Sequence, residues 1–340
     1  MIRRFSGAEH SHRSQRGVPW WAVADARDLG PWLRASWRGM LAFVVLCSAV
    51  PEPPAALDRH AALRYVLSRR TPEGGYCFYR TPQWGVEEPN APDTLAALQS
   101  LRLLGVEPPE PERTERFLRS LQDEDGDYST LTIGWAALRG LDTLGAKPRR
   151  SPVVWLWRWV GVLLRRAATR DWSGAVTDLG HAGELLCLVG AELDSSRRAA
   201  FTRMLEEARD PRGGWARPAA DLETTAVALH LLTQLGQELG AGVRAGVGAL
   251  LARSEDPTLG LRLGTHARTV SAGALWGGLA IYRALGLRLP YPEAAATSLA
   301  LLQRPDGGFG KRHRAISTLH DTWVGLDAAR LLDALREDRS

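Results

Sequence analysis

From residue 58 onward, apolar positions recur at i, i+3, i+4 and i+7, as in "LAALQSLRLL" (95–104) and "AVALHLLTQL" (226–235). This is the period of an amphipathic α-helix. The pattern predicts helices in pairs. The first members cover 58–70, 111–122, 151–169, 195–209, 241–254 and 292–303, and carry one apolar face. The second members cover 92–105, 130–145, 176–191, 221–236, 269–286 and 317–336; these are richer in Ala and Leu, as a helix buried on most sides must be. Glycines at 105, 145, 190, 236 and 286 follow five of the second members and read as helix stops.

Within each pair lies a glycine turn. "TPEGGYCFYR" (71–80), "DPRGGWARPA" (210–219) and "RPDGGFGKRH" (304–313) are the strong copies, and "DEDGDYSTLT" (123–132), "RDWSGAVTDL" (170–179) and "EDPTLGLRLG" (255–264) the weak ones. The aligned glycines 75, 126, 174, 214, 260 and 308 are spaced by 51, 48, 40, 46 and 48 residues. A period in that range marks a repeat architecture. Six hairpins with buried inner members can stack into an open solenoid or close into a ring, and the period alone does not choose. Closure is favoured, because no polar terminal cap is evident. The expected fold is an all-α (α/α)6 toroid over 58–340, preceded by a partly helical N-terminal extension, 1–57.

The extension differs from the repeats: an arginine-rich start, then Trp20, Trp21, Trp32 and Trp37, then "PEPP" at 51–54. Its apolar run "MLAFVVLCSAV" (40–50) is too short to span a bilayer and begins too far from Met1 for a usual signal peptide. A buried helix is the expected reading; translation from Met40, which would make the run a signal sequence, is the competitor. The tryptophans at 155, 157 and 159 lie on an outer helix and cannot all face one side. Some need cover, from the extension, a protein partner or a second copy of the chain.

Composition narrows the classes. Net charge is +5, but only Lys147 and Lys311 are lysines and acids are interspersed with the arginines, so no nucleic-acid footprint is present. Three separated cysteines, Cys47, Cys77 and Cys187, argue against a disulfide framework and fit a reducing, cytoplasmic setting. No G-x-S-x-G elbow, phosphate-binding P-loop or dinucleotide fingerprint occurs.

The repeated "GGF/W/Y" with a following "(D/E)T-x-x-A-L", in "APDTLAALQSLRLLG" (91–105), "DLETTAVALHLL" (221–232) and "GGFGKRHRAISTLHDTWVGLDAARLL" (307–332), resembles the toroid shared by protein prenyltransferase β subunits and squalene-type terpene cyclases. The resemblance covers 58–336 and implies a central cavity that binds an isoprenoid. In the transferases, a zinc is held by Asp-x-Cys at the fifth inner helix and His at the sixth. Here Ser271 and Gly273 stand at the first two places and only His320 remains, so zinc is not expected. In the cyclases, a buried acid of a D-x-D-T-T-type motif protonates an alkene. "DLETT" offers Asp221 and Glu223, with Asp321 at a matching inner-helix start, as candidate catalytic carboxylates. The competing reading is that Asp221 merely caps its helix, with Glu223 favoured in the first turn by the helix dipole.

Arg268 falls where the transferases place a diphosphate-contacting lysine. With His266 and His320 it forms a candidate anion clamp, flanked by Arg262, Lys311, Arg312 and Arg314. A diphosphate substrate would be compatible with magnesium. Tyr128, Trp135, Trp276 and Trp323, with Phe78, Tyr79 and Trp84, are candidate walls of an apolar tunnel. The expectation is therefore an isoprenoid-handling enzyme, a zinc-independent cyclase or prenyltransferase, with a non-catalytic lipid or peptide carrier as the alternative.

Overall fold

In the computed structural model, the structure describes residues 57–78, 88–168, 174–216, 219–263 and 267–337. Twelve α-helices lie among them: α1 Arg59–Ser68, α2 Ala91–Leu104, α3 Pro111–Ser120, α4 Leu131–Thr143, α5 Val153–Ala168, α6 Ala175–Leu188, α7 Ser195–Ala208, α8 Leu222–Gln234, α9 Ala241–Ser254, α10 Ala272–Leu285, α11 Pro292–Leu302 and α12 Leu319–Glu337. Two-residue strands pair antiparallel as β1 (Glu255–Asp256) with β2 (Gly260–Leu261) and β3 (Phe309–Gly310) with β4 (Ser317–Thr318). These close the fifth and sixth glycine turns. The compact unit spans Pro53–Ser340.

The even-numbered helices form the inner layer. Each packs against the next, α2 on α4, α4 on α6, α6 on α8, α8 on α10 and α10 on α12, and α12 returns to pack on α2. The six pairs therefore close into a ring, and the solenoid alternative falls away. Because every connection runs from outer helix through turn to inner helix, all six inner helices point the same way. Their N-termini gather at one end. The core is the shell between the two layers. It is continuous from Ala62 through Leu335 and lies almost wholly out of water.

The strong turns share one device. The aromatic after the glycine pair, Tyr76, Trp215 or Phe309, is fully buried. Its backbone N–H donates to a threonine hydroxyl on the following inner helix: Tyr76 to Thr94 Oγ1 at 3.0 Å, Trp215 to Thr225 at 2.9 Å and Phe309 to Thr322 at 3.0 Å. All three threonines are fully buried, so the hydroxyl is the partner that the turn's backbone would otherwise lack.

Closure repeats a contact used inside the ring. Gln122 donates to the Arg150 carbonyl at 2.9 Å and accepts from the Arg150 N–H at 2.9 Å. Gln303, at the end of the last outer helix, does the same to Asp58 before the first, at 2.8 and 2.9 Å. Gly307 sits at φ 91° against α1, where an added Cβ would lie 2.1 Å from the Ala61 carbonyl oxygen. Neither a side chain nor another conformation fits there.

Two of the outer tryptophans have partners within the ring, while Trp157 and Trp159 stay half-buried. Trp155 is buried and meets Tyr128 edge-on, with centroids 5.3 Å apart. The Arg197 guanidinium lies 4.6 Å over the Trp157 ring. The extension, with Cys47 and the 40–50 run, lies outside the described residues. Cys77 is buried and Cys187 exposed, both as free thiols. Among the described residues no helix is long and apolar enough to cross a membrane.

Replacing Thr94 with the near-isosteric Val should cost about 1–3 kcal/mol, because the Tyr76 N–H is left buried without an acceptor. Urea unfolding checks this; a change under about 0.5 kcal/mol would show that the hydroxyl is dispensable.

Candidate functional site

Five of the six inner-helix N-termini are built by side-chain caps; α6 starts at Gly174 without one. Asn90, Thr130, Asp221 and Ser271 each accept a hydrogen bond from a backbone N–H three residues on. Thr318 does the same for α12, accepting the Asp321 N–H at 2.9 Å, while its hydroxyl donates to Asp321 Oδ2 at 2.7 Å. The two oxygens of Asp221 are likewise engaged by Thr224, through its N–H at 2.7 Å and its hydroxyl at 2.9 Å. Asp221 and Asp321 are thus both held at helix ends.

Glu223 is different. It is the second residue of α8, beside Asp221 but outside the cap. Among the described residues no hydrogen bond or ion pair reaches its carboxylate. Burial pushes its pKa above the ordinary glutamate value. His320 and Lys311 oppose that rise, while the charges of Asp221 and Asp321 add to it. Four charged or titratable groups, from the cap of α8, the start of α12 and the loop between β3 and β4, thus act on one carboxyl.

The neighbouring helix explains how that carboxyl fits. The second residues of α8, α10 and α12 are Glu223, Gly273 and His320, side by side on consecutive inner helices. A Cβ on Gly273 would stand 2.1 Å from Glu223 Oε2. The absent side chain of Gly273 is therefore the space the carboxyl occupies. A second glycine, Gly277, lets α10 approach the α8 backbone itself, where an added Cβ would lie 2.5 Å from the Leu222 carbonyl oxygen.

Deeper along the inner helices, two tryptophans are fixed by carboxylates of the next inner helix. Trp135 donates its indole N–H to Glu184 at 2.7 Å, and Arg139 shares that acceptor at 2.9 Å. Trp276 donates to Asp327 at 2.8 Å, and Arg330 shares that one at 2.7 Å. His181 stacks on Trp135 at 4.1 Å, and its Nδ1 is buried without a hydrogen-bond partner. Burial holds its imidazole below the ordinary pKa, against the pull of Glu184 and Asp178.

The predicted site residues divide accordingly. Asp221, Glu223, Asp321 and His320 come together at the N-terminal end of the ring. Trp135 and Trp276 lie further along the inner helices, and Trp323 meets His320 edge-on at 6.0 Å. Tyr128 is instead buried against Trp155 of an outer helix, in the shell between the layers. Arg268 is exposed, two residues before the start of the buried stretch at Val270. His266, with Tyr79 and Trp84, lies outside the described residues. Sequence reasoning missed Glu184, Asp327 and the gap at Gly273. The two acids carried a legible signal, as charged residues on otherwise apolar inner helices; the gap carried none.

The residues present do not fit the transferases' zinc. Ser271 caps α10 through its hydroxyl at 3.1 Å from the Ala274 N, Gly273 has no ligating atom, and its space holds Glu223. Among the described residues no cluster of three His, Cys, Asp or Glu side chains could hold a metal ion.

Comparison with known proteins places this arrangement. Drimenyl diphosphate synthase from Streptantibioticus cattleyicolor is 29% identical over 227 residues, covering 59% of this chain. The chain spans 40% of the length of that curated relative. Among solved structures, the type II terpene cyclase MstE from Scytonema superposes with a TM-score of 0.54 at 15% identity, over 82% of this chain and 97% of that one. A variant of the same cyclase in complex with geranylgeranyl dihydroxybenzoate gives 0.56 at 15% identity, over 82% and 96%. At that identity the likeness concerns the fold. The model of the prenyltransferase alpha-alpha toroid domain matches residues 38–142 and 180–340, beginning within the stretch taken as an extension and passing over the weak third turn. The chain belongs to the prenyltransferase alpha-alpha toroid family.

Proposed function

We propose that this toroid carries out a protonation-initiated cyclisation of an isoprenoid, with Glu223 as the acid. The observation that carries the reading is a half-buried glutamate without a hydrogen-bond partner, kept toward its neutral form and seated in a gap made for it by Gly273. A carboxylic acid that stays protonated is what alkene protonation requires. The type II terpene cyclase and the drimenyl diphosphate synthase among its relatives point to the same chemistry.

In this mechanism the neutral Glu223 gives its proton to a terminal alkene carbon. The alkene's π pair forms the new C–H bond and leaves a tertiary cation. The next alkene in the chain attacks that cation and closes a ring. Loss of a proton from the final cation restores an alkene, so the reaction is an isomerisation with no co-reactant. Asp221 and Asp321, held in caps, keep negative charge beside Glu223 and so oppose its ionisation. Trp135, Trp276 and Trp323 would stabilise positive charge through their ring faces. The rings of Trp135 and Trp276 are held by Glu184 and Asp327, so this costs no reorganisation during the reaction. No step runs through zinc, since Ser271 and Gly273 supply neither a carboxylate nor a thiolate.

Glu223→Gln removes the proton donor at nearly constant shape. Turnover of farnesyl or geranylgeranyl diphosphate to cyclic products, followed by gas chromatography of the hydrolysed products, should fall at least about 100-fold. Retained turnover would reject the acid. Binding without conversion by the unaltered protein would instead support a carrier.

Gly273→Ala should lower turnover about as deeply, because the new methyl displaces the carboxyl. The helix itself gains roughly 0.5–1 kcal/mol of propensity and should keep its circular dichroism.

Stability supplies a test independent of substrate. The folded state binds the Glu223 proton more tightly than the unfolded chain, so this group's contribution is complete below the ordinary glutamate value of 4.5. It is lost as pH rises through the elevated folded value. Glu223→Gln should therefore melt higher than wild type above that range and converge with it at pH 4. Parallel melting curves at every pH would show that burial does not perturb the group.

A further inference from the structure

Away from the candidate acid, a cavity of about 490 Å³ opens at the seam where the sixth repeat meets the first. Arg69, at the end of α1, and Phe78 form one side. Arg304 and Asp306 of the last glycine turn form the base. Arg314 and Ile316, from the loop between β3 and β4, form the other side.

Its charges do not balance. Asp306 is the acid of the lining, and it is already engaged: one oxygen accepts the Ser317 hydroxyl at 2.7 Å and the Gly308 N–H at 3.1 Å, and the other lies 3.7 Å from Arg69. Among the described residues, three arginines line the cavity with that single, occupied carboxylate. Arg69 retains a buried Nε with no acceptor. Arg304 is half-buried and Arg314 exposed, and among the described residues neither makes a hydrogen bond or ion pair through its side chain. The half-buried Arg304 guanidinium and the buried Arg69 Nε are partly desolvated donors, which are costly unless something supplies oxygens. The planar fork of arginine suits the paired oxygens of phosphate groups. Phe78 and Ile316, which is 72% exposed, give the same cavity an apolar flank.

We propose that this seam cavity is a phosphate-class oxyanion site, with Arg304 and Arg314 as its principal donors and Arg69 as the third. It stands on its own residues and does not depend on the cyclisation. The 311–316 loop links the two, since its Lys311 end acts on Glu223 while its Arg314 end lines the cavity. Because the ligand would touch repeats one and six together, occupancy should also strengthen ring closure.

The test is calorimetric titration of the full chain at fixed ionic strength with inorganic diphosphate, farnesyl diphosphate and vesicles containing phosphatidic acid. Saturable binding of inorganic diphosphate, weakened at least about tenfold in the Arg304→Gln/Arg314→Gln double variant, is expected. Tighter binding of farnesyl diphosphate would assign the site to an organic diphosphate, equal binding to the free anion, and a preference for the vesicles to a lipid headgroup; all three retain the shared chemistry. At a hundredfold excess over Kd the melting temperature should rise by about 5 °C. The Glu223→Gln protein should bind the anion as wild type does, so loss of the acid assignment leaves this site standing. No saturable binding, or undiminished affinity in a double variant that melts normally without ligand, would overturn it.

Discussion

The buried hydrogen bond from the turn aromatic's backbone N–H to a threonine hydroxyl sets the position of the inner-helix N-termini at one end of the ring. Trp215 and Thr225 make it for α8. Thr225 is the fourth residue of that helix, so the bond ties the first turn of α8 to the glycine turn before it. Because Asp221 is itself hydrogen-bonded to the same turn, through its N–H to the Trp215 carbonyl at 3.1 Å, the cap cannot rotate independently. The direction of the second helical residue is then fixed by 100° helical steps from two pinned neighbours. A repeated structural device, found also at Thr94 and Thr322, thereby fixes one non-repeated side chain, Glu223.

What distinguishes the candidate acid from its neighbours is access to solvation, not residue type. Asp93, Asp221 and Asp321 are also carboxylates near inner-helix starts, but each accepts hydrogen bonds from groups of its helix cap. Glu223 lies one position away from that network and one methylene further out, in the space vacated by Gly273. It gains no donor and loses water. Thr224 following Glu223 matters for the same reason: its N–H and hydroxyl occupy Asp221, leaving the two acids separate in role. The protein accepts a destabilising carboxyl here while satisfying its equivalents elsewhere, as expected of a site under functional demand.

Much of this was legible in the chain itself. The helical period located all twelve helices, because each must bury a stripe against the other layer. The glycine-aromatic pairs located the strong turns, because Tyr76, Trp215 and Phe309 fill the joint between outer end and inner cap. Asp221 and Glu223 were found by motif, and the capping reading also holds for Asp221. Ring closure was less legible, since it depends on Gln303 reaching Asp58 and on Gly307 touching Ala61, contacts between opposite ends of the chain with no local signature. Tyr128 was taken for a tunnel wall because it precedes an inner helix. Its turn points it outward, toward Trp155, and only packing partners reveal that.

The two tryptophan–carboxylate pairs extend the same reasoning along the ring. An indole ring free to rotate would stabilise a cation less well than one whose edge is anchored, since attraction depends on presenting the ring face. Glu184 and Asp327 each hold an indole N–H and an arginine together, so the carboxylate's charge is already neutralised locally. The anchoring acids therefore do not compete with the rings as anionic traps for a carbocation. That matters chemically, because an unpaired carboxylate beside a tertiary cation would capture it as an ester or remove a proton early. Under the proposed cyclisation, pairing Glu184 with Arg139 and Asp327 with Arg330 would let acidic residues serve as structural anchors without acting as nucleophiles.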